Sequence, residues 1–178
     1  MTSKILYHGT VAKFEKFDLG KIGSHTTGEG FGFYFTDNLQ LAESYAEKTG
    51  VVLSANVSIK KSLSMDSLTI TKNQLIKILK TVDPEGDGIL SNWVDVSWTG
   101  YNKALRYVAN EIFDYCENDV DLVCELITQS GNHRLICETI ENQLGYNHTH
   151  IKNWNQNDFD VYVILLPEQI EIIKWENR

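Results

Sequence analysis

Proline is scarce in this chain, with two in 178 residues, and no Pro-, Ser- or Gly-rich tract separates one part from another. With 42% hydrophobic and 22% charged residues, this is the composition of a folded globular protein rather than a disordered or fibrous one. Cysteine is scarce as well: Cys116, Cys124 and Cys137 are odd in number and lack CxxC spacing, which argues against a disulfide frame or a zinc site. Buried free thiols are expected. No apolar run approaches the ~20 residues that span a bilayer. The opening MTSKILYHGT carries no charged-then-apolar signal segment, so the cytosol is the expected location and no membrane partner is expected. Basic residues are outnumbered, 16 against 24, for a net charge of −8. That balance argues against a broad basic face gripping nucleic acid without sequence preference, and leaves room for a local basic pocket.

The length suits a single domain with a sizeable core, spanning 1–178. KILYH at 4–8 reads as a strand, and 17–30, rich in Gly, Ser, Thr and Lys, reads as a loop. Gly32 to Thr36 forms an aromatic strand, followed by a helix with Asp37 or Asn38 as N-cap and Leu41, Ala42, Tyr45 and Ala46 at helical spacing. VVLSANVSI at 51–59 has the β-branched content of a strand. Residues 71–144 are helix-rich, with four segments of i, i+3/i+4 periodicity. DPEGDG at 83–88 is a turn; it lacks the closing acid of a calcium loop. HTHIKNW at 148–154 predicts a strand, and DFDVYVILL and EQIEIIKW predict two more, broken at Pro167. The order of strands, helices and strands predicts an α+β domain with its helices clustered to one side.

The densest chemistry lies near the N-terminus. His8 precedes Gly9 at the end of a strand, so an imidazole stands beside backbone that nothing at Cβ shields from a flat ligand. Tyr34 and Tyr45 are eleven residues apart, one on a strand and one on the next helix. Two rings so placed can face each other across a slot, and stacking on a planar ligand is worth roughly 0.5–1.5 kcal/mol per ring pair. The plainer alternative is that both tyrosines pack in a core. His148 and His150 share a strand face but lack a third ligand nearby, so solvent-exposed imidazoles are expected rather than a metal site. His25 lies in the loop at 17–30, and His133 at a helix start.

YHGT at 7–10, GFGFYFTD at 30–37 and AESYA at 42–46 resemble successive motifs of the ADP-ribosyltransferase superfamily, in the branch related to diphtheria toxin and the poly(ADP-ribose) polymerases, whose signature is His, Tyr and an acid. The resemblance covers residues 4–59 well and the last thirty more weakly. It implies an ADP-ribosyltransferase-like split β-sheet, with the helical block at about 71–144 as an insertion. It also implies NAD as co-substrate, without a metal. Carried over, His8 would hydrogen-bond a ribose hydroxyl of NAD, Gly9 would pair its backbone with the nicotinamide amide, and Thr10 would reach the adenosine ribose. Tyr34 and Tyr45 would stack on nicotinamide, with Phe35 beside them among the NAD-binding residues. The loop from Asp18 to Gly28 would cover the diphosphate, with Lys21 as its cation and His25 near phosphate. Where the polymerase-type pattern has a serine that contacts the amide, this chain has Ala42, so one amide contact is missing.

The resemblance implies a catalytic acid near the start of a late strand, and NDFDVYVILLPEQI, which resembles the family's closing motif, offers Asp158 and Asp160. Strict register points to Asp160 or Val161, with Asp160 preferred and Asp158 the runner-up on the same expected strand face. Valine in the slot would instead imply an inactive NAD-binding relative. Cleaving the nicotinamide bond builds positive charge on the ribose, as in glycoside hydrolysis, and an ionised Asp stabilises it without special tuning. The resemblance thus implies a mono-ADP-ribosyltransferase acting on a macromolecular, protein target. Small bacterial and phage relatives act as toxins, effectors or counter-defence proteins, including anti-CRISPR proteins. An NAD glycohydrolase using water, and a non-catalytic NAD-binding module, are the competing readings. The acids of the helical block, Glu111, Asp114, Glu117, Asp119, Asp121 and Glu125, could meet a basic partner or simply form a solvated face.

Overall fold

The computed structural model describes residues 2–22, 30–46, 48–156 and 158–176. They fall into two compact units, Met1–Leu63 with Tyr146–Arg178, and Ser64–Gly145.

The first unit is a seven-stranded sheet. Its strands are β1 Thr2–Thr10, β2 Phe33–Thr36, β3 Val51–Ile59, β4 Lys61–Leu63, β5 Tyr146–Ile151, β6 Val161–Ile164 and β7 Ile170–Glu176. They are ordered β4-β5-β6-β2-β1-β3-β7, and only β4 and β5 run parallel. β1 pairs with β3 along its whole length, from Thr2–Ile59 to Thr10–Val51. β1 and β2, by contrast, meet only at Tyr7 and Thr36. The sheet is therefore two halves, β4-β5-β6-β2 and β1-β3-β7, hinged at one pair and diverging beyond it. The architecture is α+β, as the order of elements predicts.

Strand alternation sorts the side chains onto two faces. One face carries the core of Leu6, Phe33, Phe35, Leu53, Ala55, Val57, Tyr162 and Ile164, closed by Phe17 from the loop after β1. The other receives α1, Leu39–Tyr45, whose Ala42 packs with Ala46, Val52 and Tyr7. α1 starts where Asn38 caps it, its side-chain oxygen accepting the Leu41 N–H at 2.9 Å. Gly9 lets the helix approach: a Cβ there would lie 1.9 Å from the Ala42 carbonyl oxygen. The missing Cβ of Gly9 is what permits this close approach of helix backbone.

The second unit is helical, with α2 Lys72–Val82, α3 Val96–Thr99, α4 Tyr101–Tyr115, α5 Asp119–Ser130 and α6 His133–Leu144. α2 opens with a reciprocal Thr71–Gln74 capping box, and α5 and α6 end at left-handed glycines, Gly131 and Gly145. DPEGDG is a turn, closed by the buried Asp83 carboxylate, which accepts N–H bonds from Gly88 and Leu90. Cys116 and Cys137 are buried and Cys124 partly so; burial, with Glu125 and Asp121 nearby, pushes the Cys116 thiol up to about 12, which keeps it protonated and unreactive. Among the described residues no helix is long and apolar enough to cross a membrane.

Two expectations need correction here. Asp119 is not a surface charge: it is fully buried, and its carboxylate accepts N–H bonds from Ser64, Thr69 and Ile70 and the Thr69 hydroxyl, so it ties the 64–70 loop to the start of α5. Nor is His148 exposed, at 4%, because β5 is an interior strand between β4 and β6. Burial, and then the neighbouring His150, lower its pKa to about 4, so it is neutral at neutral pH.

Candidate functional site

The point where β1 and β2 diverge is occupied by His8. Had the ladder continued past Tyr7–Thr36, Gly9 would face Tyr34. Instead the His8 imidazole spans the gap, with Nδ1 2.7 Å from the Tyr34 carbonyl oxygen. A carbonyl only accepts, so Nδ1 carries the proton, and in the neutral ring Nε2 is a bare acceptor. Burial lowers the His8 pKa against the pull of that carbonyl, which favours the neutral form. Its ring is braced by Phe17 at 5.2 Å, Phe35 at 5.4 Å and Phe14 at 6.2 Å between centroids. Phe35, 2% exposed, supports His8 from the core side.

Tyr34 is half-buried and its hydroxyl donates to the Gly30 carbonyl at 2.8 Å. Gly30 has φ of 111°, a conformation that favours glycine, so the hydroxyl anchors the turn entering β2. Alternation puts Tyr34 on the face of Thr36 and Tyr7, the face that α1 covers. Tyr45 ends α1, is 53% exposed, and has its ring 6.3 Å from that of Trp154. The two tyrosines thus belong to the same side of the sheet, and Tyr45 does not pack in a core. Gly9 pairs with Val52 in the β1–β3 ladder. Thr10 closes β1, and its hydroxyl donates to the Ala12 carbonyl at 3.4 Å. Lys21 ends a short 3-10 turn, Leu19–Lys21, capped by Asp18, and is exposed. The remainder of that loop, 23–29 with His25 and Gly28, lies outside the described residues.

The acids are arranged differently from the common strand face expected of them. β6 begins at Val161, and Asp158 and Asp160 precede it in the turn from β5. That turn holds three non-glycine residues at positive φ, Asn153, Asn155 and Gln156, a strained conformation of the kind kept where the surroundings demand it. Asp158 is exposed. The Asp160 carboxylate is held at both oxygens. Oδ2 is 2.7 Å from His150 Nε2 and accepts the Tyr162 hydroxyl at 3.4 Å; Oδ1 accepts the Asn153 N–H at 3.2 Å. The Asp160 N–H donates to Asp37 Oδ1 at 2.9 Å, and Lys4 reaches both Asp37 and the Tyr162 hydroxyl. Burial would raise the Asp160 pKa, but the bonds from His150 and Asn153 and the charge of Lys4 outweigh it and hold the carboxyl below its usual value. Val161 pairs with Thr36 and is 5% exposed, on the tyrosine face, whereas Asp160 lies with Tyr162 on the face of His8 and Phe35.

Sequence reasoning missed His150, Asp37, Lys4 and Tyr162. His150 is half-buried and stacks flat on Tyr162, 4.4 Å apart at 9°, because the two are cross-strand partners. A signal was present: HTH and DVY are both i, i+2 patterns either side of a short turn, as in a hairpin whose facing residues share a side. Among the described residues no group of three His, Cys, Asp or Glu is placed to hold a metal.

No curated protein matches the chain. A solved structure, titled as the crystal structure of an anti-CRISPR protein, is similar at 15% identity, with 96% of each chain covered and a TM-score of 0.36, too low to bear on function. The sequence profile described as ADP-ribosyltransferase in polyvalent proteins matches residues 2–177. With a match over nearly its whole length, this chain belongs to that family of ADP-ribosyltransferases.

Proposed function

We propose that the protein cleaves the nicotinamide bond of NAD and transfers a single ADP-ribose to a macromolecule, a protein, with Asp160 as the acid. The observation that carries this reading is the divergence of β1 and β2 with His8 at its root. A neutral imidazole with its proton fixed on Nδ1 presents Nε2 as an acceptor for one hydroxyl, which is what a ribose offers. The residues fit NAD on this account: His8 takes a ribose hydroxyl, Tyr34 and Tyr45 flank the nicotinamide, Gly9 and Thr10 line the approach, and Lys21 meets the diphosphate.

NAD supplies an N-glycosidic bond whose cleavage builds positive charge on the ribose. Asp160, held ionised and fixed through both oxygens, offers a carboxylate that needs no reorganisation to stabilise that charge. His8 and the tyrosines orient, and no covalent enzyme nucleophile is needed. The test is to incubate the protein with NAD labelled in its adenylate part, with and without bacterial lysate. The expected result is label on a discrete macromolecule, lost in Tyr34→Ala.

A second reading, NAD binding without cleavage, is favoured by one observation: Val161, rather than an acid, stands on the tyrosine face opposite Thr36. Saturable NAD binding without nicotinamide release under any acceptor would support it. Release without label would mark a glycohydrolase.

A further inference from the structure

The catalytic reading leaves a cluster unexplained. Around Asp160 stand Lys4 from β1, Asp37 after β2, His148 and His150 from β5, and Tyr162 from β6. Three features of His150 make it more than a packing residue. Its backbone N–H is tied to the Ser62 hydroxyl at 2.9 Å, its ring lies flat on Tyr162, and its Nε2 meets Asp160 at 2.7 Å. Tyr162 is itself pinned from the other direction by Lys4, which bonds its hydroxyl and lies 4.5 Å over its ring. The ring that sets the direction of Nε2 is therefore held in the plane and along the strand. Asp158, by comparison, is exposed and stands in the same turn without such a support.

We infer that His150 is the positioning residue of Asp160: its Nε2–H, aimed by the stack on Tyr162, fixes the carboxylate toward the reacting ribose. This rests on the reading of Asp160 as the acid and goes beyond it by assigning the residue that aims it. Lys4 and Asp37, the other charges of the cluster, are paired with each other at 3.5 Å.

The experiment compares nicotinamide release by the full chain, His150→Ala and His150→Gln, as kcat and KM for NAD. Loss of one charged hydrogen bond predicts a fall in kcat of ~10-fold or more in His150→Ala with KM nearly unchanged. Glutamine keeps an N–H donor at the same reach. His150→Gln should therefore recover most of kcat. Parental kcat in His150→Ala overturns the inference. So does a folded His150→Gln as impaired as His150→Ala. If the parent itself releases no nicotinamide, the reading of the site fails and this inference falls with it; a parent that turns over alongside an unaffected His150→Ala sinks the inference alone.

Discussion

Gly9→Ala is the sharpest structural perturbation available at the site. The added Cβ would lie 1.9 Å from the Ala42 carbonyl oxygen and 2.8 Å from the Ala46 nitrogen. Both atoms belong to the backbone around α1, so neither can swing aside as a side-chain tip would. Ordinary contact distances require β1 and α1 to separate by roughly 1.6 Å, given the ~3.5 Å at which such contacts relax. Overpacking of this kind costs about 1–3 kcal/mol, and the upper end applies where backbone meets backbone. For a chain of this size that is a fall in melting temperature of about 5–10 °C. The same shift moves Tyr45 on α1 relative to Tyr34 on β2, and a misplacement of ~1 Å in a positioned site costs on the order of 100-fold in rate. Thermal unfolding followed by circular dichroism, and nicotinamide release well below the melting temperature, read the two effects separately. A variant that melts within ~1 °C of the parent would refute the packing argument.

Four further outcomes follow from the same geometry. Asp119→Ala strands three N–H groups, that of Ile70 buried, and a hydroxyl, and urea unfolding should show a loss of about 2–4 kcal/mol, far beyond that of an exposed acid such as Glu117. His8→Ala should raise KM for NAD and lower kcat together, by ~10-fold or more overall, since a positioning bond and the brace across the β1–β2 gap both go. Tyr34→Phe keeps the ring and loses the hydroxyl's bond to Gly30, so its effect on NAD affinity should be a few-fold, well short of that of Tyr34→Ala. His148 has a folded pKa of about 4, below its value near 6.5 in the unfolded chain, so the folded state binds fewer protons. Stability should therefore rise with pH between about 4 and 6.5, by on the order of 3 kcal/mol, with His8 adding in the same direction and the rise mostly lost in His148→Asn.

Local patterns carried much of the architecture. α6 is legible at both ends because Asn132 caps it and Gly145 stops it, and β3 because its β-branched run is unbroken. The His8, Tyr34 and Tyr45 motifs are legible because each is contiguous in the chain. What stayed hidden depends on partners far along the sequence. His148 and His150 looked alike from spacing, yet strand order buries one and pairs the other with an acid ten residues on. Asp119 looked like one more surface acid, and only the 64–70 loop folding over it makes it a core residue. β4, three residues long, carries no pattern of its own and exists because β5 pairs with it. Asp158 and Asp160 read as one strand, but the left-handed turn at 153–156 delays β6 to Val161 and changes which face each acid can reach.

The central claim is that NAD is cleaved with the help of Asp160, and side-by-side nicotinamide release by the parent, Asp160→Asn and Asp158→Asn in the presence of lysate tests it most directly. The account predicts steady release by the parent, a loss of ~100-fold or more in Asp160→Asn, as expected when a preorganised charge is removed, and a far smaller effect in Asp158→Asn. No release by the parent, or an Asp160→Asn variant as active as the parent, would contradict it.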